Sequence, residues 1–181
     1  MAVSDEKLVQ MCNLGDAAQA RLAFDTLYRR HREFVVRVAW RFTRDHDLAL
    51  DVLQETFTYL LSKFPPTGDG LTLTSALTTL LYPVAKNSAI TLLRKAHRYA
   101  GDTNPDELAA PPQTHTDDVA NLLESLTEER REVLLLRFVD DMSLQDIAAA
   151  LDIPLGTVKS RLHLAIKTLR EDPDIRNLHL P

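Results

Sequence analysis

The sequence predicts an all-α protein built as two small helical domains joined by a flexible acidic linker. Apolar residues recur at i, i+3, i+4 spacing along most of the chain, most strongly over 21–44. The segment 143–170 has the grammar of two helices around a short break, and the stretch 101–116 between these regions is nearly empty of apolar residues. The domains are therefore expected over 1–100 and 117–181, with the linker over 101–116.

Taken in order, a polar lead gives way to a first short helix over 4–13. The next run, 21–44, places Phe24, Leu27, Tyr28, His31, Val35, Val38, Ala39 and Phe42 on one stripe and turns most of its arginines outward. Trp40, beside that stripe, reads as a core aromatic. Asp45-His46-Asp47 is a break and a helix start, since carboxylates satisfy the free N–H groups of a first turn. The helix that follows runs to about Phe64, with Ala49, Val52, Leu53, Phe57, Leu60, Leu61 and Phe64 inward. Its other face carries Asp51, Gln54, Glu55 and Thr58, which chemistry alone reads as solvated surface.

Phe64 to Ser75 holds two Pro and two Gly in a dozen residues and is a loop. A helical segment follows over 75–100, with Pro83 marking either a kink or a new start. Leu81, Val84, Ala85, Ser88, Leu92 and Ala96 are its expected buried side. Asn87, Thr91, Arg94 and Arg98 share a stripe flanked by Lys86 and Lys95, which suits contact with a nucleic-acid backbone and equally a plain exposed face. Beyond the linker, a short helix over 117–125 leads to Thr127. That residue is expected to cap a helix over 128–139 whose apolar face is Leu134, Leu135 and Phe138.

In the last segment Ser143 and Asp146 are spaced to cap a helix start. Leu144, Ile147, Ala148 and Leu151 then face Val158, Leu162, Ala165 and Leu169 of a second helix, and the small Ala148 permits a close crossing. Asp152 occupies the turn, where φ > 0 favours Gly. The outer face of the second helix carries Thr157, Lys159, Ser160, Arg161, His163 and Lys167, the donors a helix in a major groove uses. From Ile153 to Arg170 there are four cations and no acid. A DNA reader is favoured over an ordinary helical hairpin.

Composition narrows the class. The net charge is −5, and 101–125 holds six acids and no base. An acidic chain is ill suited to coating DNA indiscriminately and suits a factor delivered by a larger partner. The single cysteine, Cys12, excludes an intrachain disulfide and a zinc site built on cysteine pairs, and the six histidines show no metalloenzyme spacing. No residue constellation supports an enzyme, a cofactor or a small-molecule substrate. The polar start and the lack of a long apolar run predict a cytoplasmic protein without membrane insertion.

Two stretches carry a resemblance. LDVLQETF (50–57), preceded by AFDTLYRRHREFVVRVAWRF, and SLQDIAAALDIPLGTVKSRLHLA (143–165) resemble regions 2 and 4 of the sigma-70 family of bacterial RNA polymerase sigma factors, of the extracytoplasmic-function (ECF) type. LYPVAKNSAITLLRKAHR (81–98) resembles the promoter-melting part of region 2. The resemblance implies that Asp51, Gln54, Glu55 and Phe57 dock on the clamp helices of the polymerase largest subunit. It implies that Lys86, Asn87, Arg94, Lys95 and Arg98 meet the minus-10 element, and that the loop 64–75 lies where a flipped nontemplate base is captured. It gives Thr157, Lys159, Ser160, Arg161, His163 and Lys167 to the minus-35 element, and adds the flap of the second-largest subunit and an anti-sigma factor as partners. Departures from the family pattern are Leu80 for Trp, Pro83 and Lys86 for Arg, Thr91 for Asp, a longer loop before this helix, and Leu164, Ile166 and Thr168 at commonly basic positions. Two rival readings are a sigma mimic that sequesters an anti-sigma factor and a stand-alone helix-turn-helix regulator.

Overall fold

A computed structural model describes residues 3–99, 123 and 125–171. The expected linker over 101–116, most of the expected helix over 117–125 and the tail beyond 171 lie outside the described residues. Among the described residues there are seven helices and no strand. The chain divides into two compact units, 1–112 and 113–181.

The first unit contains α1 (Asp5–Leu14), α2 (Ala17–Thr43), α3 (His46–Ser62) and α4 (Leu77–Tyr99). Each of the first three starts on an oxygen that accepts a free N–H: Ser4 from Lys7, Asp16 from Gln19 and Asp45 from Leu48. Helix α2 thus begins several residues before the first strong apolar repeat. It packs against α1, α3 and α4, while α3 and α4 pack on each other. Leu27, Val35, Val38, Val52, Leu60, Leu81 and Tyr82 are wholly buried among them. The Phe57 ring meets Phe24 and Tyr28 edge-on at centroid distances of 6.3 and 4.8 Å. His31, on the apolar stripe, is satisfied by Asp5 Oδ2 at 2.7 Å, and Arg30 binds the same carboxylate. These contacts fasten α1 to α2.

Helix α4 runs continuously through Pro83, so no new helix starts there. Tyr82 and Ala89 join Leu81 and Ala85 on the buried side, whereas Val84, Ser88, Leu92 and Ala96 are only half-buried. Two inward assignments in this unit are corrected. Trp40 is 42% exposed and Leu61 51% exposed. Each follows a wholly buried residue, Ala39 or Leu60, and the roughly 100° turn per residue carries it past the packed stripe.

The second unit contains α5 (Glu128–Phe138), α6 (Leu144–Leu151) and α7 (Leu155–Glu171). Val133 and Leu136 of α5, Ile147 of α6, and Val158 and Ala165 of α7 are wholly buried, with Leu126 and Met142 closing the ends. The expected face of α5 is corrected: Leu134 and Leu135 are half-buried and Phe138 is 62% exposed. Phe138 stands two residues, roughly 200°, from Leu136, on the far side of the helix. On α6, Ala150 is the buried alanine and Ala148 is half-buried.

Candidate nucleic-acid and partner interfaces

The helix-turn-helix is set by its caps. Ser143 Oγ accepts from the Asp146 N–H at 3.1 Å and donates to the Asp146 carboxylate at 2.6 Å. At the other end of α6, Asp152 adopts the left-handed conformation (φ 52°, ψ 47°). Its N–H donates to Ala149 O and the Ile153 N–H to Ala148 O, the paired bonds of a Schellman turn. Pro154 O then accepts from the Thr157 and Val158 N–H groups, and α7 begins.

On α7 the buried stripe of Val158 and Ala165 fixes which side chains face out. Lys159, Ser160, His163 and Lys167 are exposed, and Thr157 and Arg161 are half-buried. Ser160, His163 and Lys167 fall on the arc opposite the packed stripe, and Thr157, Lys159 and Arg161 on its flanks. Acids temper two of the cations. Lys167 Nζ lies 3.9 Å from Glu171 Oε1. Glu129 on α5 lies within electrostatic reach of Arg161: its carboxyl is held below the usual carboxylate range by its backbone N–H and by the Thr127 hydroxyl, with lesser help from Arg161 and Arg130. The Thr127 hydroxyl is thus engaged by Glu129 and makes no cap bond to the helix, although Thr127 holds the N-cap position as expected.

On α4, Asn87, Thr91, Arg94, Lys95 and Arg98 are exposed along a helix that contains no acid. Lys86 is half-buried, its amine 5.6 Å from the centre of the Phe42 ring. Thr91 turns its hydroxyl back to Asn87 O at 2.8 Å.

On α3, Asp51, Gln54 and Glu55 are exposed, and Ser88 Oγ of α4 donates to the Glu55 carboxylate. Phe57 differs from the other three. At 4% exposure it lies beneath the surface and supports the patch from inside. Beside the patch runs a shallow groove of about 450 Å³ between α2 and α3, with Phe24, Tyr28, Leu50, Gln54, Phe57 and Leu61 among its walls. Leu50 and Leu61 are absent from the predicted site residues, yet both stand well exposed at its rim. The signal for them was present in the sequence as apolar residues flanking the polar face one turn either side of Gln54 and Phe57.

Among the described residues no group of three or more side chains could hold a metal ion, and no helix is long and apolar enough to cross a membrane. The structure thus defines a class, a two-unit helical protein that carries a helix-turn-helix in its second unit. The sigma-70 region 2 family model matches residues 27–99, and the sigma-70 region 4 model matches residues 116–169. The chain is 33% identical over 170 residues to the ECF RNA polymerase sigma factor SigL of Mycobacterium tuberculosis, covering 88% of this chain and 94% of SigL. It is 31% identical over 166 residues to the ECF sigma factor SigE of Mycolicibacterium smegmatis, spanning 87% of this chain and 63% of that longer protein. It belongs to the ECF sigma factors of the sigma-70 family. Among solved structures, RpoE in complex with the anti-sigma factor NepR from Bartonella quintana is similar, with a TM-score of 0.59 and 25% identity over 82% of this chain and 94% of that one. CnrH in complex with the cytosolic domain of CnrY shares the fold, with a TM-score of 0.63 and 24% identity over 92% and 94% of the two chains.

Proposed function

We propose that this ECF sigma factor binds core RNA polymerase through α3, places α7 in the major groove of the minus-35 element, and engages the minus-10 element with α4 and the loop before it. The observation that carries this reading is the α3 face. Asp51, Gln54 and Glu55 stand exposed, with Glu55 fixed to α4 by Ser88, beside an apolar groove whose rim exposes Leu50 and Leu61. A polar patch next to exposed apolar side chains suits a protein partner better than solvent. The cationic faces of α4 and α7 then address DNA phosphates and base edges. The factor positions and melts DNA and makes or breaks no bond itself, so its place is with the polymerase in the cytoplasm. An anti-sigma factor is proposed as a further partner, since the similar RpoE is seen bound to NepR.

The test is run-off transcription on genomic DNA with core polymerase and purified protein, followed by sequencing of the start sites. Transcripts from a common promoter are expected. Core binding without transcripts would turn the reading toward a sigma mimic that sequesters an anti-sigma factor. A DNA shift without polymerase would favour a stand-alone regulator.

A further inference from the structure

The loop between α3 and α4 is a built structure, held from a distance. The carbonyl of Phe64 accepts from the Thr67 and Gly68 N–H groups, and the carbonyl of Lys63 accepts from the Gly70 N–H at 3.0 Å. A Cβ on Gly68 would stand 2.5 Å from the Lys63 carbonyl, so the chain closes on itself as only glycine permits. Gly70 has φ +99°, and a Cβ there would meet the Asn13 side chain at 3.1 Å. The next residue is clamped by that side chain: Asn13 Nδ2 donates to Leu71 O at 2.7 Å, and Leu71 N–H donates to Asn13 Oδ1 at 2.9 Å. One carboxamide thus satisfies both backbone groups of Leu71, as a neighbouring strand would.

Asn13 is itself anchored. It sits in the last turn of α1, whose Leu8, Val9 and Cys12 are buried and whose Asp5 is bound by His31 and Arg30 of α2. A long loop without secondary structure of its own loses conformational freedom when ordered, and ties to a packed helix offset that loss.

We infer that Asn13 is a positioning residue for the minus-10 reading loop: through Leu71 it fixes the backbone that follows, including the exposed Thr72 and Thr74, in the conformation that selects a nontemplate base. This rests on the assignment of the loop under the proposed function. Asn13 itself stays out of contact with DNA and acts through the loop. Its neighbour Gly70 belongs to the same device, because any side chain there would crowd the clamp.

The test uses the full-length chain in complex with core polymerase and a promoter library randomised across the minus-10 element. Three variants are compared: Asn13→Leu, which keeps the volume and removes both hydrogen bonds; Asn13→Asp, which keeps the acceptor and removes the donor; and Thr72→Ala with Thr74→Ala in the loop. Hydrogen exchange at Leu71 is followed in parallel. Asn13→Leu is expected to flatten preference at one minus-10 position by about tenfold, the effect of losing two hydrogen bonds of ordinary worth. It should lose protection at the Leu71 amide and keep its affinity for core polymerase, and Asn13→Asp, whose second carboxylate oxygen would face the Leu71 carbonyl, should lose selectivity as well. If the loop variant changes the preference and Asn13→Leu does not, the inference is overturned and the loop assignment stands. If neither changes it, the loop assignment fails and the inference with it. A loss of core affinity in Asn13→Leu matching its loss of selectivity would also overturn it, since α1 would then support the whole unit.

Discussion

Asp152→Gly should stabilise the second unit, and the sign follows from three terms. Asp152 holds a left-handed conformation at φ 52° directly after α6. An L-residue there carries roughly 1–2 kcal/mol of steric cost, with Asp toward the lower end because its short polar side chain tolerates the region. Its negative charge also meets the negative end of the α6 dipole, an unfavourable ~0.3–1 kcal/mol at an exposed site. Glycine removes both but gives the unfolded chain more freedom, which returns about 0.4–1 kcal/mol. The balance is a gain of about 1 kcal/mol. Hydrogen exchange on the full-length chain reads it at the buried Val158 and Ala165 amides of α7, which should exchange about fivefold more slowly. Asp152→Asn separates the terms, since it removes the charge and keeps a side chain suited to φ > 0. Its smaller gain should shrink in high salt, whereas most of the glycine gain should persist. Equal gains from Asn and Gly would show that the backbone cost only matches the unfolded-state freedom glycine adds. A loss of protection in the glycine variant would refute the accounting altogether.

Phe57→Ala should cost about 3–5 kcal/mol in the first unit, because it empties a site packed against Phe24 and Tyr28, and thermal unfolding will show it. Gln54→Ala, at an exposed position, should leave stability within about 0.5 kcal/mol while weakening capture of core polymerase in a binding titration. Arg161→Ala should weaken minus-35 recognition by about 1–3 kcal/mol with core affinity unchanged, and unaltered promoter choice in run-off sequencing would remove its assigned base contact. The Glu129 carboxyl has a folded-state pKa below its unfolded value, so its stabilising contribution is present above the unfolded pKa and is lost as pH falls through the folded one. Glu129→Gln should therefore flatten the acid side of the stability profile of the second unit, and an unchanged slope in acid titration would count against the Thr127 hydrogen bond.

The parts legible in the sequence are those set by near neighbours. Ser143 and Asp146 cap α6 because three residues separate them, and the break between the two apolar repeats marks Asp152 as the turn residue, which takes the left-handed conformation. Which flank of a helix is covered depends on what packs there, and here the sequence reading erred. Trp40 and Leu61 are apolar residues just off their stripes and Phe138 lies on the far side of its helix, and the arcs that neighbouring helices cover stop short of all three. Phe34 and Tyr82 are buried although the pattern left them out, because α2 and α4 each bury a wider arc than one apolar row. The Asn13 clamp on Leu71 spans 58 residues, so no local window could reveal it. The polar face of α3 shows the same limit for function. Chemistry read it as solvated surface, and only the exposed Leu50 and Leu61 beside it give a physical reason for a partner.

Under the proposed function, charge placement makes the two faces assigned to DNA depend on the face assigned to polymerase. The chain carries −5 overall, and acids shadow cations of the reader: Glu171 lies beside Lys167, and Glu129 acts on Arg161. Each phosphate neutralised contributes to affinity through counterion release, so a reader with few cations and nearby acids gains little from DNA alone. On α4, Pro83 offers no charge and Lys86 offers a point charge in place of a planar fork, which keeps that contribution small. Weak contacts suffice when a common platform holds both partners, because the second contact then forms at an effective concentration far above that of the free protein. The α3 patch would supply that attachment under the proposed function. A chain so arranged should ignore promoters until polymerase carries it there, which is the behaviour a dissociable initiation factor needs and a stand-alone repressor cannot use.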